Sequence, residues 1–276
     1  MAPILAPTDF CATSRSTVKY AAVLAATLQT ELVIFHAYQI PVLSIEFAEP
    51  QSFYDDLESI LKRQINTMAD DLRSEVDGLQ VSVVLSIGNT NEALEQIAST
   101  IQPLLVVMNL RNRNASSRFF FGSTLIHALN HLQYPVLTIP DNIVFKKLEN
   151  IGLAFDLMDE RMDRQNNIIR KFLELFDAKL HIIHALKNKR SIEPGIVAAC
   201  ISLQNTFYKF KPHFYFPDEE YIEEELSRFS DDKGFDMLIV LPQHHNILKK
   251  LIFRGHMTNF VLHQTIPVLT IAPDNQ

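Results

Sequence analysis

Three short stretches of this chain occur twice in the same order, and this repetition restricts the fold more than any other feature of the sequence. Each pair contains an apolar run of strand length. The pairs are ILAPTDF (4–10) with IGLAFDL (151–157), ELVIFHA (31–37) with KLHIIHA (179–185), and YPVLTIPDN (134–142) with IPVLTIAPDN (266–275). The interval between copies is much longer than a solenoid repeat, which indicates a duplicated domain. We predict two domains, residues 1–141 and residues 148–276.

Within each half, apolar runs alternate with longer segments that carry apolar residues at helical spacing. The predicted strands of the first half are Pro3–Pro7, Glu31–Tyr38, Val81–Ser86, Leu104–Asn109 and Pro135–Ile139, and its predicted helices are Ser14–Gln29, Asp55–Val76, Asn91–Ile101 and Gly122–Leu132. The predicted strands of the second half are Ile151–Phe155, Leu180–Ala185, His213–Phe216, Met237–Leu241 and Pro267–Ile271. Strands without strict alternation, separated by helices, favour parallel sheets covered on both faces. The predicted fold class is α/β, with two tandem doubly wound domains, each a five-stranded, mostly parallel sheet flanked by helices, related by a pseudo-two-fold axis.

The middle of the second half departs from the pattern of the first. Residues Lys187–Lys211 include Pro194 and Gly195, so we predict an irregular stretch there and no counterpart of the long helix Asp55–Val76. The acidic stretch Asp218–Leu226 is predicted to be a solvated helix face, because acidic residues are favoured near the positive end of the helix dipole.

The composition excludes several classes of protein. A formal net charge of −7 argues against nucleic-acid binding through nonspecific attraction to phosphates. Two cysteines, Cys11 and Cys200, are too few for a disulfide framework and fit a reducing compartment. No apolar run approaches the roughly 20 residues that span a bilayer, and the start of the chain lacks a secretory pattern. We therefore expect a cytoplasmic protein that binds neither membranes nor nucleic acid.

The order of these motifs resembles the universal stress protein family. The resemblance lies in PTDF after the first strand, FHA at the end of the second, IGN after the third, VVMN in the fourth, and GS followed by PVLTI. It covers essentially the whole chain and is stronger in the first half. It implies that Pro135–Ile139 and Pro267–Ile271 pair the two halves as an internal pseudo-dimer. A proline that opens an edge strand fits this role, because its missing N–H falls outside the ladder.

The resemblance also implies where a ligand would bind. Ligands of doubly wound sheets lie beyond the carboxyl ends of the strands where strand order reverses, here between the first and fourth strands. The family's nucleotide pattern is Gly-x-x-Gly, nine residues, then Gly-Ser or Gly-Thr, and some members bind ATP there. Glycines let backbone N–H groups approach phosphate oxygens, and the last pair begins a helix whose N-terminus favours an anion. The candidate cofactor-binding residues are Pro7, Thr8, Asp9, Met108, Asn109, Asn112, Gly122, Ser123 and Thr124.

The early part of this pattern leaves open whether the loop can bind a nucleotide. Asn109 and Asn112 stand where the family has its two early glycines. Asn is the non-glycine residue that best tolerates left-handed backbone angles, so the loop could keep its path while an amide lies where phosphate would be. The Gly-Ser pair could equally be a plain helix start, since Ser is a preferred cap. The nearby arginines that could compensate by charge, or simply be solvated, are Arg111, Arg113 and Arg118.

Other polar residues of the first half have a functional and a structural interpretation. Asp9 resembles the family aspartate that approaches the base and ribose of the nucleotide, and it could instead only end the first strand. Cys11 has no activating base nearby in sequence and is interpreted as an inert small residue. His127 and His131 lack the Glu of a His-Glu-x-x-His site and are interpreted as part of an exposed helix face.

The second half preserves less of the pattern. Asp156 matches Asp9, but Arg254 and Gly255 fall where the first half has its Gly-Ser pair, so we expect no nucleotide there. His36 and His184 occupy equivalent strand ends and are interpreted as packing residues. Zinc needs three or four convergent ligands, and adjacent histidines point apart in regular structure, so we predict no metal site. The histidines concerned are His244, His245, His256 and His263.

No catalytic set assembles from these residues, and no P-loop or dehydrogenase fingerprint is present. Our first hypothesis is a non-enzymatic stress-response module with degenerate nucleotide loops, which acts through protein partners or by sensing a small ligand. The alternative is a sensor of ATP or AMP that uses only the first-half cleft, with slow ATPase activity as an option. A metal-dependent hydrolase has only histidine content in its favour.

Overall fold

The structure is a computed structural model that describes residues 2–39, 51–110, 123–141, 143–154, 157, 163–186, 193–218, 234–241 and 265–271. Its contacts divide the chain into two compact units. Unit 1 comprises Met1–Val136 and Asp141–Phe145, and unit 2 comprises Leu137–Pro140 and Lys146–Gln276. No helix among the described residues combines the length and the apolar character needed to cross a bilayer.

Unit 1 alternates strands and helices from its first residues. Its strands are β1 (Ile4–Pro7), β2 (Glu31–Tyr38), β3 (Gln80–Ile87) and β4 (Leu105–Leu110). Its helices are α1 (Ala12–Thr27), α2 (Gln51–Glu75), α3 (Thr90–Ile101) and α4 (Ser123–His131). All the strands and helices predicted for this region are present, and the α/β class is confirmed.

The sheet of unit 1 has the strand order β3-β2-β1-β4, and its pairings are parallel. β1 lies inside the sheet, with Ile4 facing Leu32 of β2 on one side and Leu105 of β4 on the other. Its residues Ile4, Leu5 and Ala6 are fully buried, as expected for a strand covered by helices on both faces. The chain moves outward from β1 to β3 and then returns to β4, so strand order reverses between β1 and β4.

Unit 2 repeats this internal order. Its strands are β5 (Val136–Pro140, of which Leu137–Pro140 belongs to the unit), β6 (Asn150–Ala154), β7 (Lys179–Ile183), β8 (His213–Tyr215), β9 (Met237–Val240) and β10 (Val268–Thr270). Their order is β5-β10-β9-β6-β7-β8, so β6 lies between β7 and β9 as β1 lies between β2 and β4. The pseudo-two-fold axis stays a prediction.

The prediction of an irregular stretch over Lys187–Lys211 is wrong for the described residues 193–211. Helix α6 occupies Pro194–Thr206, and a short 3-10 helix follows at Tyr208–Phe210. Pro194 stands in the first turn of α6, where an N–H has no partner within the helix and a fixed φ is already helical. The proline therefore marks the start of a helix that is shorter than α2. Helix α5 of this unit spans Asp163–Phe176, and the predicted acidic helix after Asp218 lies outside the described residues.

A buried carboxylate holds the start of β6. Asp236 accepts the backbone N–H groups of Glu149 and Asn150 at 2.8 and 3.0 Å, and its other oxygen lies 2.6 Å from the Lys146 ammonium. Burial acts to raise the pKa of Asp236, but the hydrogen bonds with Lys146 and the two N–H groups outweigh it and hold that pKa below its ordinary value of 3.8. Asp236 thus stabilises unit 2 as an ionised side chain.

Candidate functional site

A cavity of about 240 Å³ lies at the carboxyl ends of the unit 1 strands, where strand order reverses. It collects residues from the ends of β1, β2 and β4 and from the first turns of α1, α3 and α4. The residues that line it are Pro7, Thr8, Asp9, Cys11, Thr13, Ser14, Phe35, His36, Ala37, Thr90, Asn109 and Thr124. Hydroxyls, a carboxylate, an imidazole and an amide thus surround a space fit for a small polar ligand.

The turn between β1 and α1 forms one wall of the cavity. Thr8 donates its backbone N–H to the Phe35 carbonyl at 2.8 Å, and its hydroxyl accepts the N–H of Phe10 at 3.1 Å. Phe10 has a φ of 62°, a left-handed conformation that costs a non-glycine residue about 1 kcal/mol or more. The Arg15 guanidinium donates to the Phe10 carbonyl at 2.9 Å. Local contacts therefore hold a strained turn that carries Asp9 at the cavity rim.

His36 fixes this turn from the neighbouring strand. Its Nδ1 lies 2.7 Å from the Thr8 carbonyl oxygen. A carbonyl only accepts, so Nδ1 of His36 carries the proton of this bond. The His36 ring also packs against the Phe10 ring at an interplanar angle of 47°, with centroids 4.4 Å apart. His36 was interpreted from sequence as a packing residue, and it both packs and lines the cavity.

Cys11 caps the N-terminus of α1. Its sulfur accepts the backbone N–H of Ser14 at 3.4 Å and lies 3.1 Å from the Thr13 hydroxyl. Burial and a hydrogen bond with Asp9 both raise the pKa of the Cys11 thiol, but the hydrogen bonds with Thr13 and Ser14 outweigh them and leave it below its ordinary value of 9.0. Its predicted inertness stays a prediction.

Asn109 comes from β4 and is held by two donor contacts. Its Nδ2 donates to the Thr17 hydroxyl at 3.2 Å and to an Asp141 carboxylate oxygen at 3.1 Å. Its Oδ1 is buried and has no hydrogen-bond partner among the residues that the structure describes. Asn109 belongs to the extended strand β4, as its place in the predicted strand Leu104–Asn109 indicates, and it does not use the left-handed backbone that the sequence left open. An unpaired buried carbonyl oxygen is costly, so this atom is ready to accept a donor from a ligand or a water molecule.

The structure brings together some predicted site residues and separates others. Pro7, Thr8, Asp9, Asn109 and Thr124 all line the cavity. Met108 is buried in β4 and Ser123 is exposed at the start of α4, and neither lines it. The predicted residues outside the described part of the chain are Asn112 and Gly122 of the nucleotide pattern, the neighbouring Arg111, Arg113 and Arg118, Asp156, and the histidines His244, His245, His256 and His263.

Several cavity residues were not predicted from the sequence. Phe35, His36 and Ala37 lie at the end of β2, Thr90 begins α3, and Thr13 and Ser14 lie in the first turn of α1. The signal available was positional, because every parallel strand of unit 1 ends at the same edge of the sheet. The His-Ala pair that both halves carry, FHA at 35–37 and IHA at 183–185, marks that end of β2.

The remaining histidines of unit 1 take part in ordinary contacts. His127 lies 2.6 Å from a Glu95 carboxylate oxygen and stacks near His131, which is exposed. Among the residues that the structure describes, no group of three or more His, Cys, Asp or Glu side chains is placed to hold a metal ion.

Unit 2 has a histidine at the equivalent place with the opposite hydrogen-bond role. His184 follows β7 as His36 ends β2, but its Nδ1 accepts the backbone N–H of Leu157 at 3.1 Å. Nδ1 is therefore unprotonated, and protonation there would break the bond. His184 is also buried. The histidine at this position lines a cavity in unit 1, whereas in unit 2 it is a buried acceptor of a backbone N–H.

Comparisons with known proteins agree with this geometry. The family model described as "Universal stress protein family" matches residues 1–140. A universal stress protein from Archaeoglobus fulgidus has a similar structure, with a TM-score of 0.76 at 13% identity over 99% of this chain and 97% of that one. A functionally unknown protein from Pseudomonas aeruginosa reaches 0.67 at 16% identity, over 99% and 93%. Among curated proteins, none matches this sequence significantly.

Proposed function

Since this chain belongs to the universal stress protein family, we propose that it is a non-enzymatic stress-response module that senses a small polar ligand in the unit 1 cavity. One observation carries the proposal: the cavity lies at the reversal of strand order and is lined by Asp9, His36 and Asn109. The described residues around it supply hydrogen-bond donors and acceptors. We propose a cytoplasmic location, where the thiols of Cys11 and Cys200 would stay reduced.

An adenine nucleotide, ATP or AMP, is the second candidate within this function, and two observations favour it. Thr124 lines the cavity from the first turn of α4, where helix N–H groups attract an anion. The unpaired Oδ1 of Asn109 offers a buried acceptor for an amine or hydroxyl group. A base and ribose would then lie near Asp9 and His36, with phosphate towards α4.

Calorimetry and thermal shift test the proposal with ATP, ADP and AMP, each with magnesium. Asp9→Asn removes the rim carboxylate while keeping its shape, so we expect it to weaken binding by about tenfold, the loss of one charge-assisted hydrogen bond. Asp71→Asn is the matched control, an exposed carboxylate on α2 that should leave binding unchanged. If no nucleotide raises the melting temperature, the nucleotide candidate fails. A wider panel of polar metabolites without any hit would end the sensor proposal as well.

A second pair of variants tests whether the nucleotide pattern of the family has lost its phosphate-binding function in this chain. Asn109→Gly/Asn112→Gly restores both glycines of the family pattern, and Ser123→Ala removes a hydroxyl from the start of α4. If the wild type binds a nucleotide and Ser123→Ala binds it more weakly, the result favours a functional nucleotide pattern. Binding gained only in the double-glycine variant favours a degenerate loop. Hydrolysis of ATP by the wild type, absent in Asp9→Asn, would contradict the non-enzymatic assignment.

We also propose that unit 2 is a divergent second copy and that the halves associate through Pro135–Ile139 and Pro267–Ile271. The shared strand order supports the duplication. The hydrogen bond from the Thr138 hydroxyl to the Val268 carbonyl, at 3.1 Å, supports the strand association. Thr138→Val keeps the shape and removes this donor. We expect a loss of about 1 kcal/mol of stability, measurable by denaturant unfolding.

A further inference from the structure

We propose that helix α6 of unit 2 pairs with α6 of a second copy of this chain, with the two helices antiparallel across a two-fold axis at Ile201. α6 spans Pro194–Thr206 and leads into the 3-10 helix Tyr208–Phe210. None of the residues that line the unit 1 cavity belongs to this helix. The test of this proposal is therefore independent of the proposed function.

One side of α6 is buried and the other is exposed. Ile196 and Leu203 are buried, and because they are seven residues apart, about two turns, they lie on the same side of the helix. Ile201 lies on the opposite side and is 59% exposed. Val197, one turn earlier, is 50% exposed, and Tyr208, just past the helix, is 65% exposed. Three large apolar side chains thus follow one another along the outer side of this helix.

The outer side of α6 lacks the charges that usually keep a helix face in water. The helix has the sequence PGIVAACISLQNT, without Lys, Arg, Asp or Glu. The preceding helix of the same unit, α5, has Arg170 and Glu174 exposed on its outer side. The first part of α6, PGIVAACI, is apolar on every side, and helices of that kind are normally buried all round. The exposed side of α6 therefore indicates a surface that a partner covers.

Charges of opposite sign stand at the two ends of this surface. Glu193 directly precedes the helix, and its carboxylate makes no capping hydrogen bond. Lys209 lies in the 3-10 helix that follows, with Lys211 just after it, and both are exposed. Among the described residues, none of these three side chains forms an ion pair. Glu193 is eight residues before Ile201 and Lys209 is eight residues after it.

An antiparallel second copy is the partner that this charge distribution fits. A two-fold axis at Ile201 brings Glu193 of each copy beside Lys209 of the other, as an isologous interface requires. The N-terminus of each helix then lies near the C-terminus of its partner, so the helix dipoles also attract. The rest of the unit does not oppose this pairing, because residues 142–276 contain 17 Lys and Arg against 18 Asp and Glu and are nearly neutral.

The same axis determines which apolar groups meet. Ile201 packs against its own copy at the axis, and Tyr208 lies opposite Pro194, because both are seven residues from Ile201. Three large apolar side chains in each copy are far fewer than the roughly 20–30 residues that each partner contributes to a standard interface. We therefore expect a weak dimer, with a dissociation constant on the order of 100 µM.

Sedimentation equilibrium and light scattering from low-micromolar to near-millimolar protein measure this association. We expect a concentration-dependent dimer for the wild type. Ile201→Glu changes an exposed residue, so the monomer stays folded, but it brings two carboxylates face to face at the axis. The dissociation constant should rise by roughly tenfold or more. Ser202→Glu adds the same charge at an exposed position on the flank of the same helix and should dimerise as the wild type does.

Exchange of the end charges tests the orientation of the two helices. Glu193→Lys and Lys209→Glu each place like charges at both ends of the helix pair, so each should weaken the dimer by about three- to tenfold. The double variant restores opposite charges and should dimerise as the wild type does. A double variant that is weaker than either single variant overturns the antiparallel pairing. A wild type that stays monomeric at all concentrations, or whose dimer survives Ile201→Glu, overturns the proposal.

Discussion

His36 and His184 occupy the same place in the two copies and do opposite things. His36 donates its Nδ1–H to the Thr8 carbonyl and lines a cavity, whereas His184 accepts the Leu157 N–H and is buried. Both motifs end in His-Ala, preceded by Phe in the first half and by Ile in the second, so the motif alone does not determine the role. The difference lies in the backbone group that the turn after the neighbouring strand presents to the histidine: a carbonyl after β1 and an N–H after β6. The turn after β1 forms a cavity wall, and the turn after β6 stabilises its own unit.

The largest predicted effect comes from removing each imidazole. His184→Ala leaves a buried N–H of Leu157 without a partner and opens space around it, so we expect a loss of about 3 kcal/mol. His36→Ala leaves a carbonyl that solvent in the cavity can reach, so we expect a loss of about 1 kcal/mol. Denaturant unfolding of both variants measures the difference. Equal losses would show that the two histidines have the same structural role.

The next effect concerns Asp236, the buried anchor of unit 2. Asp236→Asn should cost about 2 kcal/mol, because it replaces a carboxylate that accepts charge-assisted hydrogen bonds. The folded pKa is lowered, so this stability is present above the ordinary pKa of 3.8 and is lost as pH falls through the lower folded pKa.

Unfolding curves between neutral and strongly acidic pH check this sign. The wild type and Asp236→Asn should differ at neutral pH and converge in acid. Asp70→Asn, an exposed partner of Arg73, is the control and should cost about 0.5 kcal/mol or less. A gap between wild type and Asp236→Asn that widens in acid would contradict the assignment.

A smaller effect should appear at Asn109. Asn109→Leu removes the buried unpaired oxygen along with the two donor contacts, so the stability terms partly cancel. Affinity for the tightest-binding of ATP, ADP and AMP should fall by about tenfold, because the ligand loses one buried acceptor. Calorimetry measures it, with Thr100→Val on the exposed side of α3 as the control. Unchanged affinity would remove Asn109 from the site.

The smallest effect is expected at the strained turn. Phe10→Gly relieves a left-handed φ of 62° but loses the ring contact with His36 and adds backbone entropy to the unfolded chain. These contributions oppose one another, so unfolding should change by about 1 kcal/mol or less. Binding should weaken because the turn that carries Asp9 becomes less ordered. A stability change above that range, with unaltered binding, would place Phe10 in the core and outside the site.

Sequence reasoning predicted the sheet and five of the twelve residues that line the cavity for the same reason. Apolar runs such as Leu105–Leu110 show where strands end, and parallel strands share an edge, so Thr8, Asp9 and Asn109 could be assigned to one place. The side-chain contacts were not predictable in this way. The bond from Asn109 to Thr17 joins residues that are far apart in sequence, and no local pattern encodes it.

Two positions show the limits of residue propensities. The tolerance of asparagine for left-handed angles left such a backbone open at Asn109, but the ladder of β4 continues through it. Pro194 led to the prediction of an irregular stretch, but the first turn of a helix accepts proline. In both cases the backbone conformation depends on where the residue lies within its helix or strand, and the sequence does not mark that position directly. The pairing of the two halves stays a prediction.

Imidazole nitrogen NMR during a ligand titration tests the central difference between the units. Before ligand, the ¹⁵N spectrum should show the proton on Nδ1 of His36 and an unprotonated Nδ1 in His184. With a nucleotide or other polar ligand bound, the His36 resonances should shift while those of His184 stay in place. Ligand-induced shifts at His184 with an unchanged His36 would contradict a ligand site built in unit 1.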